Sequence, residues 1–126
     1  MTKMLVDTSV IIDFLRQKNK AQTLFYSLAQ DEPAVSIVTH SELYSGKSVW
    51  QKKSVQEELE VIFSGLTCLP LTEQISMKAG QLRAQYNVSL FDCIIAATAL
   101  WHDLPLVTLN TKDFSRFKGL KLYPLN

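Results

Sequence analysis

The chain has 126 residues, a formal net charge of +1 and an apolar content of 47%. This length indicates a single domain, 1–126, with enough apolar residues for a core. The near-neutral charge excludes strong global attraction to nucleic acid, so such binding must come from local patches or metal ions. The sequence predicts no membrane span and no signal peptide. We expect a cytoplasmic protein with Cys68 and Cys93 buried and reduced, a disulfide being the less favoured alternative.

In the first half of the chain, short apolar runs alternate with segments of helical periodicity. Asp7, Thr8 and Ser9 follow the first run and offer N-cap chemistry. Thr39-His40-Ser41-Glu42 has the form of a capping box, which predicts that a helix begins there and loosens or ends at Gly46. The predicted elements are a strand at 4–6, a helix at 10–15, a helix at 20–30, a strand at 34–38 and a helix from Thr39.

The second half continues the same alternation. The segment 91–101 is almost wholly apolar, which indicates a helix buried on most sides. Strands that alternate with helices predict an α/β fold, a three-layer α/β/α sandwich with a central parallel sheet. The predicted elements here are a helix at 49–63, a strand at 66–69, a helix from 72 to about 86, the helix at 91–101, a strand at 106–108 and a short strand at 120–123.

Polar residues interrupt the apolar pattern where predicted strands end. Asp7 ends the first strand, Glu42 lies just past the second, and Asn110 and Asp113 follow the fourth. Asp92 lies in the first turn of the most apolar helix. Open α/β sheets bind ligands beyond the carboxyl ends of their strands. We therefore expect these residues to lie at one edge of the sheet.

Each carboxylate alone has an ordinary structural explanation. Asp92 suits a helix N-terminus, Asp7 an N-cap, and Glu42 a capping box. Together, however, three converging carboxylates repel one another, and such a cluster is retained mainly when a divalent cation lies within it. Oxygen-only ligands indicate Mg²⁺ or Mn²⁺, and no Cys/His spacing indicates zinc. A carboxylate-held cation suits phosphodiester hydrolysis.

Four segments resemble the motifs of PIN domains. The order, spacing and chain length are similar to those of VapC-type toxins of bacterial toxin–antitoxin pairs, and the resemblance covers essentially the whole chain. The third and fourth segments together are the most specific. The segments are MLVDTS at 4–9, SEL at 41–43, DCIIAATA at 92–99 and LVTLNTKDF at 106–114.

The resemblance implies a PIN-like fold and Mg²⁺-dependent RNA cleavage, with Mn²⁺ as a possible substitute. It implies that Asp7 and Asp92 hold the metal most directly, and that Glu42 ligates it or acts through a water. Ser9 is expected to orient Asp7 or a metal-bound water, with a plain helix cap as the alternative.

The chain departs from the family at the fourth acidic position. Many relatives carry Asp where this chain has Asn110, which removes one charge and argues against a second tightly held metal. Asn110 can still orient a water through hydrogen bonds, and it is the preferred fourth site residue. Asp113 is the alternative source of the missing carboxylate.

The resemblance also implies partners: an RNA substrate, a cognate antitoxin whose tail covers the acidic site, and a second copy in a homodimer. Aromatic residues available for an interface are Phe25, Tyr26, Tyr44, Trp50 and Trp101. Basic residues that can steer RNA phosphates, or simply form a solvated surface, are Lys47, Lys52, Lys53, Lys112, Arg116 and Lys118.

Three other functions share part of this sequence pattern. A haloacid-dehalogenase-type phosphatase requires a second Asp two residues after Asp7, where this chain has Ser9. A phospho-receiver domain requires an acceptor Asp after a middle strand, where this chain has Thr39 or Pro70. The remaining alternative is a degenerate PIN scaffold that binds RNA or a partner without cleavage, for which Asn110 is the only support.

Overall fold

The computed structural model describes residues 3–125, and its centre is a parallel four-stranded sheet. The strand order is β3-β2-β1-β4. Every pairing between neighbouring strands is parallel, with Leu5 opposite both Ala34 and Leu106. The strands are β1 at Leu5–Val6, β2 at Ala34–Ser36, β3 at Thr67–Leu69 and β4 at Leu106–Val107.

Helices fill the connections between the strands. They are α1 at Thr8–Arg16, α2 at Leu24–Leu28, α3 at Ile37–Tyr44, α4 at Lys47–Gln51, α5 at Lys53–Ser64, α6 at Glu73–Gln85, α7 at Leu90–Trp101 and α8 at Thr111–Phe114. None within 3–125 is long and apolar enough to cross a membrane.

The pleat of the strands divides the core into two clusters, one on each face of the sheet. Leu5, Ala34 and Leu106 pack with buried residues of α6 and α7. Their neighbours along the strands, Val6 and Val107 among them, pack with buried residues of α1, α2 and α5. Successive residues of a strand point to opposite faces, so each strand contributes to both clusters. The predicted three-layer α/β/α sandwich is confirmed.

The strand order creates a crevice between β1 and β4. The chain runs outward from β1 through β2 to β3, and then returns to place β4 on the other side of β1. Such a reversal leaves a gap beyond the carboxyl ends of the two strands, where open α/β sheets bind ligands. Asp7 and Thr108 directly follow β1 and β4, so they lie at this crevice.

The predicted start of α3 was wrong. The strand ends at Ser36 and the helix begins at Ile37, so Val38 is helical. The Ser36 hydroxyl accepts a hydrogen bond of 3.1 Å from the Val38 N–H and thereby caps the helix. Thr39 and Glu42 consequently do not form a capping box, and Glu42 lies in the second turn.

Two predicted helices are divided in the structure. The segment predicted as a helix at 20–30 is a 3₁₀ turn at Lys20–Gln22 followed by α2, because Thr23 caps α2 through a bond from the Tyr26 N–H. The helix predicted at 49–63 is α4 and α5. They are separated by Lys52, whose backbone is extended (φ −128°, ψ 115°).

Two further predictions were wrong. The segment 120–123 makes only one isolated bridge in place of a fifth strand, between Leu106 and Leu122. Cys68 is exposed because it lies on the edge strand β3, whereas Cys93 is buried as expected. Both thiols are free.

Candidate active site

Asp7 is a buried carboxylate at the crevice between β1 and β4, with 4% of its surface exposed. It occupies the N-cap position of α1, yet its side chain makes no capping bond. Instead Oδ2 accepts hydrogen bonds from Ser9 Oγ at 2.8 Å and from Thr108 Oγ1 at 2.7 Å. Two charge-assisted hydrogen bonds to one oxygen fix the orientation of this carboxylate.

The two hydroxyl groups that bind Asp7 are themselves oriented by the backbone. Ser9 Oγ accepts a 3.1 Å bond from the Leu109 N–H, and Thr108 Oγ1 accepts a 2.9 Å bond from the Asn110 N–H. The β4–α8 turn therefore fixes both donors. Among residues 3–125, both bonds to the carboxylate end on Oδ2, so Oδ1 is the oxygen left for a ligand.

Glu42 is half-buried and is held by the first turn of α1. The Thr8 hydroxyl donates to Glu42 Oε1 at 2.9 Å, and the hydroxyl groups of Thr8 and Thr39 share a 3.0 Å bond. Burial raises the pKa of Glu42, and the charges of Asp7 and Asp92 raise it further against the opposing bond from Thr8. Glu42 thus lies within the electrostatic influence of both predicted metal-binding aspartates.

Asp92 lies in the first turn of α7, as predicted. The Ser89 hydroxyl caps this helix by accepting a 3.3 Å bond from the Asp92 N–H. Burial raises the pKa of the Asp92 carboxyl, and the charges of Asp7 and Asp113 raise it further, whereas a side-chain hydrogen bond between this carboxyl and Ser89 lowers it. The favourable N-terminal helix position is therefore outweighed by burial and like charge.

Asn110 and Asp113, the two candidates for the fourth site position, lie next to each other. Asn110 Nδ2 donates to Asp113 Oδ2 at 3.1 Å. The backbone of Asn110 bonds Thr108 and so connects this pair to Asp7. Both residues therefore lie at the same crevice. The charge of Asp113 also contributes to the raised pKa of Asp92.

In the part of the chain that the structure describes, no three His, Cys, Asp or Glu side chains are positioned to hold a metal ion by themselves. Oδ2 of Asp7 is bonded to two hydroxyl groups and Oε1 of Glu42 to Thr8. The donor set nevertheless fits Mg²⁺, which keeps several waters and is commonly bound by one or two carboxylates. Repulsion from neighbouring carboxylates raises the pKa of both Glu42 and Asp92, and a bound cation would reduce that repulsion.

The sequence predicted that Ser9 orients Asp7, as its 2.8 Å bond shows, but it did not reveal the threonine hydroxyl groups that support these carboxylates. Thr8, Thr39 and Thr108 are all buried, at 6%, 0% and 1% exposure. A threonine at the carboxyl end of a predicted strand was the available signal. Thr108 stands in this position at the end of β4.

Comparisons with known proteins give the family. The PIN domain family model matches residues 4–120. Ribonuclease VapC10 of Mycobacterium tuberculosis is 34% identical over 123 residues, covering 93% of this chain and 90% of that protein. The tRNA(fMet)-specific endonuclease VapC of Shigella flexneri is 30% identical, covering 96% of each chain. The crystal structure of DNA-bound VapBC from Salmonella typhimurium has a TM-score of 0.83 at 25% identity, covering 98% of each chain. The chain therefore belongs to the PIN-domain family, among the VapC ribonucleases.

Proposed function

We propose that this chain is a metal-dependent endoribonuclease, the toxin of a toxin–antitoxin pair. Its relatives include proteins named ribonucleases, and a toxin–antitoxin complex from Klebsiella pneumoniae has a TM-score of 0.72 at 28% identity. The observation that carries the proposal is the buried carboxylate of Asp7. It is fixed through Oδ2 by Ser9 and Thr108 and acts electrostatically on Glu42 and Asp92.

In this proposal Asp7 and Asp92 hold Mg²⁺, or Mn²⁺ in its place, and Glu42 contributes directly or through a water. A divalent ion held by these carboxylates would supply an activated water and positive charge beside the scissile phosphate. Ser9 and Thr108 hold the Asp7 carboxylate in one orientation. Glu42, with its raised pKa and with Oε1 bonded to Thr8, is suited to accept the proton of the attacking water through Oε2.

Asn110 completes the proposed site as a neutral group. Its amide, bonded to Asp113, orients a water or a phosphate oxygen by hydrogen bonding. The alternative function is a degenerate PIN scaffold that binds RNA or a partner without cleaving. Asn110 in place of a carboxylate is the one observation that favours it.

A cleavage assay with matched variants tests the activity. We expect the purified chain to cut single-stranded RNA with Mg²⁺ or Mn²⁺ and to stop in EDTA. Asp7→Asn should lower the rate by orders of magnitude. Asp103→Asn, an 86%-exposed carboxylate paired with Lys121, should leave it unchanged. Full cleavage in EDTA contradicts the metal mechanism, and a folded chain that never cleaves supports the degenerate scaffold.

Growth experiments test the toxin assignment. Expression of the wild-type chain alone should arrest growth, whereas Asp7→Asn should not, and co-expression of the cognate antitoxin should restore growth. Harmless expression of the folded wild-type chain contradicts the assignment. The homodimer stays a prediction, and light scattering on the purified chain measures it.

A further inference from the structure

Two buried threonine hydroxyl groups lie next to Glu42. The Oγ1 atoms of Thr8 and Thr39 are 3.0 Å apart, and Thr8 Oγ1 is 2.9 Å from Glu42 Oε1. Thr39 and Glu42 are three residues apart on α3, so they share one face of that helix. Thr8, at the start of α1, bonds to both. We call Thr8 and Thr39 the threonine pair.

The direction of these hydrogen bonds follows from the protons available. An ionised carboxylate only accepts, and a hydroxyl group has a single proton to donate. The Thr8 proton therefore goes to Glu42 Oε1, and Thr39 donates to Thr8. Within residues 3–125 the Thr39 hydroxyl has no other hydrogen-bond partner, so no second acceptor competes for its proton. Donation thus runs from Thr39 through Thr8 to Glu42.

The position of Glu42 depends on this one bond. Within the described residues, its carboxylate makes no other hydrogen bond and no ion pair. Glu42 also borders a cavity of about 380 Å³ between α1, α3 and α5, and Arg16 lines the same cavity. The side chain therefore has space to leave its present position, and a guanidinium group that would attract it.

One turn of α1 orients two carboxylates of the proposed site. Ser9 donates to Asp7, and its neighbour Thr8 donates to Glu42. Because the two donors are consecutive residues of one helix, they fix both carboxylates to the same rigid element. Such precision matters, since a displacement of about 1 Å at a reacting group can lower a rate about 100-fold.

We propose that the threonine pair positions Glu42. Thr39 orients the Thr8 hydroxyl, and Thr8 holds Glu42 Oε1, so that the carboxylate does not turn into the cavity towards Arg16. The inference rests on the proposed ribonuclease function, in which Glu42 acts on the metal or its water. Both threonines act through Glu42 and do not touch RNA, so they are positioning residues.

Variants of the pair separate stability from activity. Thr8→Val leaves the Thr39 hydroxyl buried without a partner, so both stability in urea and the single-turnover cleavage rate should fall. Thr8→Val with Thr39→Val removes both hydroxyl groups at constant shape, so most of the stability should return. Its rate should stay about 10–100-fold below wild type, the usual effect of losing a group that orients a ligand. Thr8→Ser keeps the donor and should retain most of the rate.

A second comparison shows whether the pair acts through Glu42. In a Glu42→Ala background, the double valine change should alter the remaining rate less than about twofold, because the residue on which the pair acts is gone. Thr98→Val, which removes an equally buried hydroxyl bonded within α7, should leave the rate of the wild type unchanged.

Crystal structures give a readout that needs no cleavage. In the double valine variant, Glu42 should turn into the cavity or occupy more than one position. In Thr8→Ser and Thr98→Val it should keep the wild-type position. Should the double variant not fold, Thr39→Val alone, which keeps the Thr8 bond to Glu42, should lower the rate severalfold and leave Glu42 less ordered.

A wild-type cleavage rate in the double valine variant overturns the proposal, because Glu42 would then need neither hydroxyl group. An equal loss of rate with and without Glu42 also overturns it, since the pair would then act on another group. So does an unchanged Glu42 in the crystal structure of the variant. An inactive wild type in which Glu42 still depends on the pair for its position would contradict the ribonuclease function and leave the positioning role standing.

Discussion

Thr108 shows how one hydroxyl group fixes a buried charge. Asp7 is 4% exposed, and a carboxylate in that environment depends on its hydrogen bonds. Thr108 donates to it at 2.7 Å and is itself oriented by the Asn110 N–H. We expect Thr108→Val, which keeps the shape, to lower the free energy of unfolding by about 1–3 kcal/mol. RNA cleavage should fall as well, because Asp7 loses a group that orients it.

Thr98→Val is the matched control for this prediction. Thr98 is equally buried, and its hydroxyl bonds the Ile94 carbonyl within α7 at 2.7 Å. Denaturant unfolding and the cleavage assay measure both variants. Thr98→Val should leave cleavage unchanged, and a Thr108→Val protein with wild-type stability and activity would show that Ser9 alone suffices to hold Asp7.

The acidic residues and Ser9 could be found in the sequence, whereas the supporting threonines could not. A carboxylate such as Asp92 interrupts an apolar run, and its desolvation cost makes it conspicuous. A hydroxyl such as that of Thr39 is compatible with a helix, a strand or a cap, so its position in the sequence carries little information. Its bond to Thr8 depends on contact between α1 and α3, which only the folded chain brings together.

The start of α3 is decided by competition between two possible caps. Both Ser36 and Thr39 are residues that cap helices well. Ser36 prevails because it ends β2, where its hydroxyl can accept from the Val38 N–H while Thr39 points into the buried contact with Thr8. The sequence also does not reveal the break between α4 and α5 at Lys52, because the apolar periodicity from Val49 to Phe63 continues across it.

Substitution of Ser36 tests this assignment. Ser36→Ala should lower the free energy of unfolding by about 1 kcal/mol, the usual cost of losing an N-cap. Ser41→Ala, an exposed change within the same helix, should have little effect. Urea unfolding with circular dichroism measures both. Equal stability of the two variants would show that the Ser36 bond does not set the start of α3.

The sheet was predictable as parallel, yet the order of its strands was not. Alternation of strands and helices requires crossover connections, and these give parallel pairs. It does not say on which side of β1 the last strand lies. The position of β4 next to β1 creates the crevice, and contact across it lets the Asp7 carboxylate bond to Thr108, far away along the chain.

The acidic cluster should make the stability of the metal-free protein depend on pH. The folded pKa of Asp92 is raised, mainly by burial and then by Asp7, so the folded state holds a proton that the unfolded chain has released. The free energy of unfolding therefore falls as pH rises from about 4, the unfolded pKa of Asp, through the raised folded value. Asp92→Asn lacks this titration, so in EDTA it should gain stability relative to wild type as pH rises.

Thermal melts of both proteins across this pH range, in EDTA and in Mg²⁺, measure the effect. If Asp92 served only as a favourable charge at the N-terminus of α7, its folded pKa would be lowered. The stability of the wild type would then increase relative to that of the variant as pH rises, which is the opposite of the expected trend. At neutral pH, Mg²⁺ should raise the Tm of wild type, because a ligand of the native state stabilises it. It should raise that of Asp92→Asn less, since the variant has lost a carboxylate that the cation would neutralise.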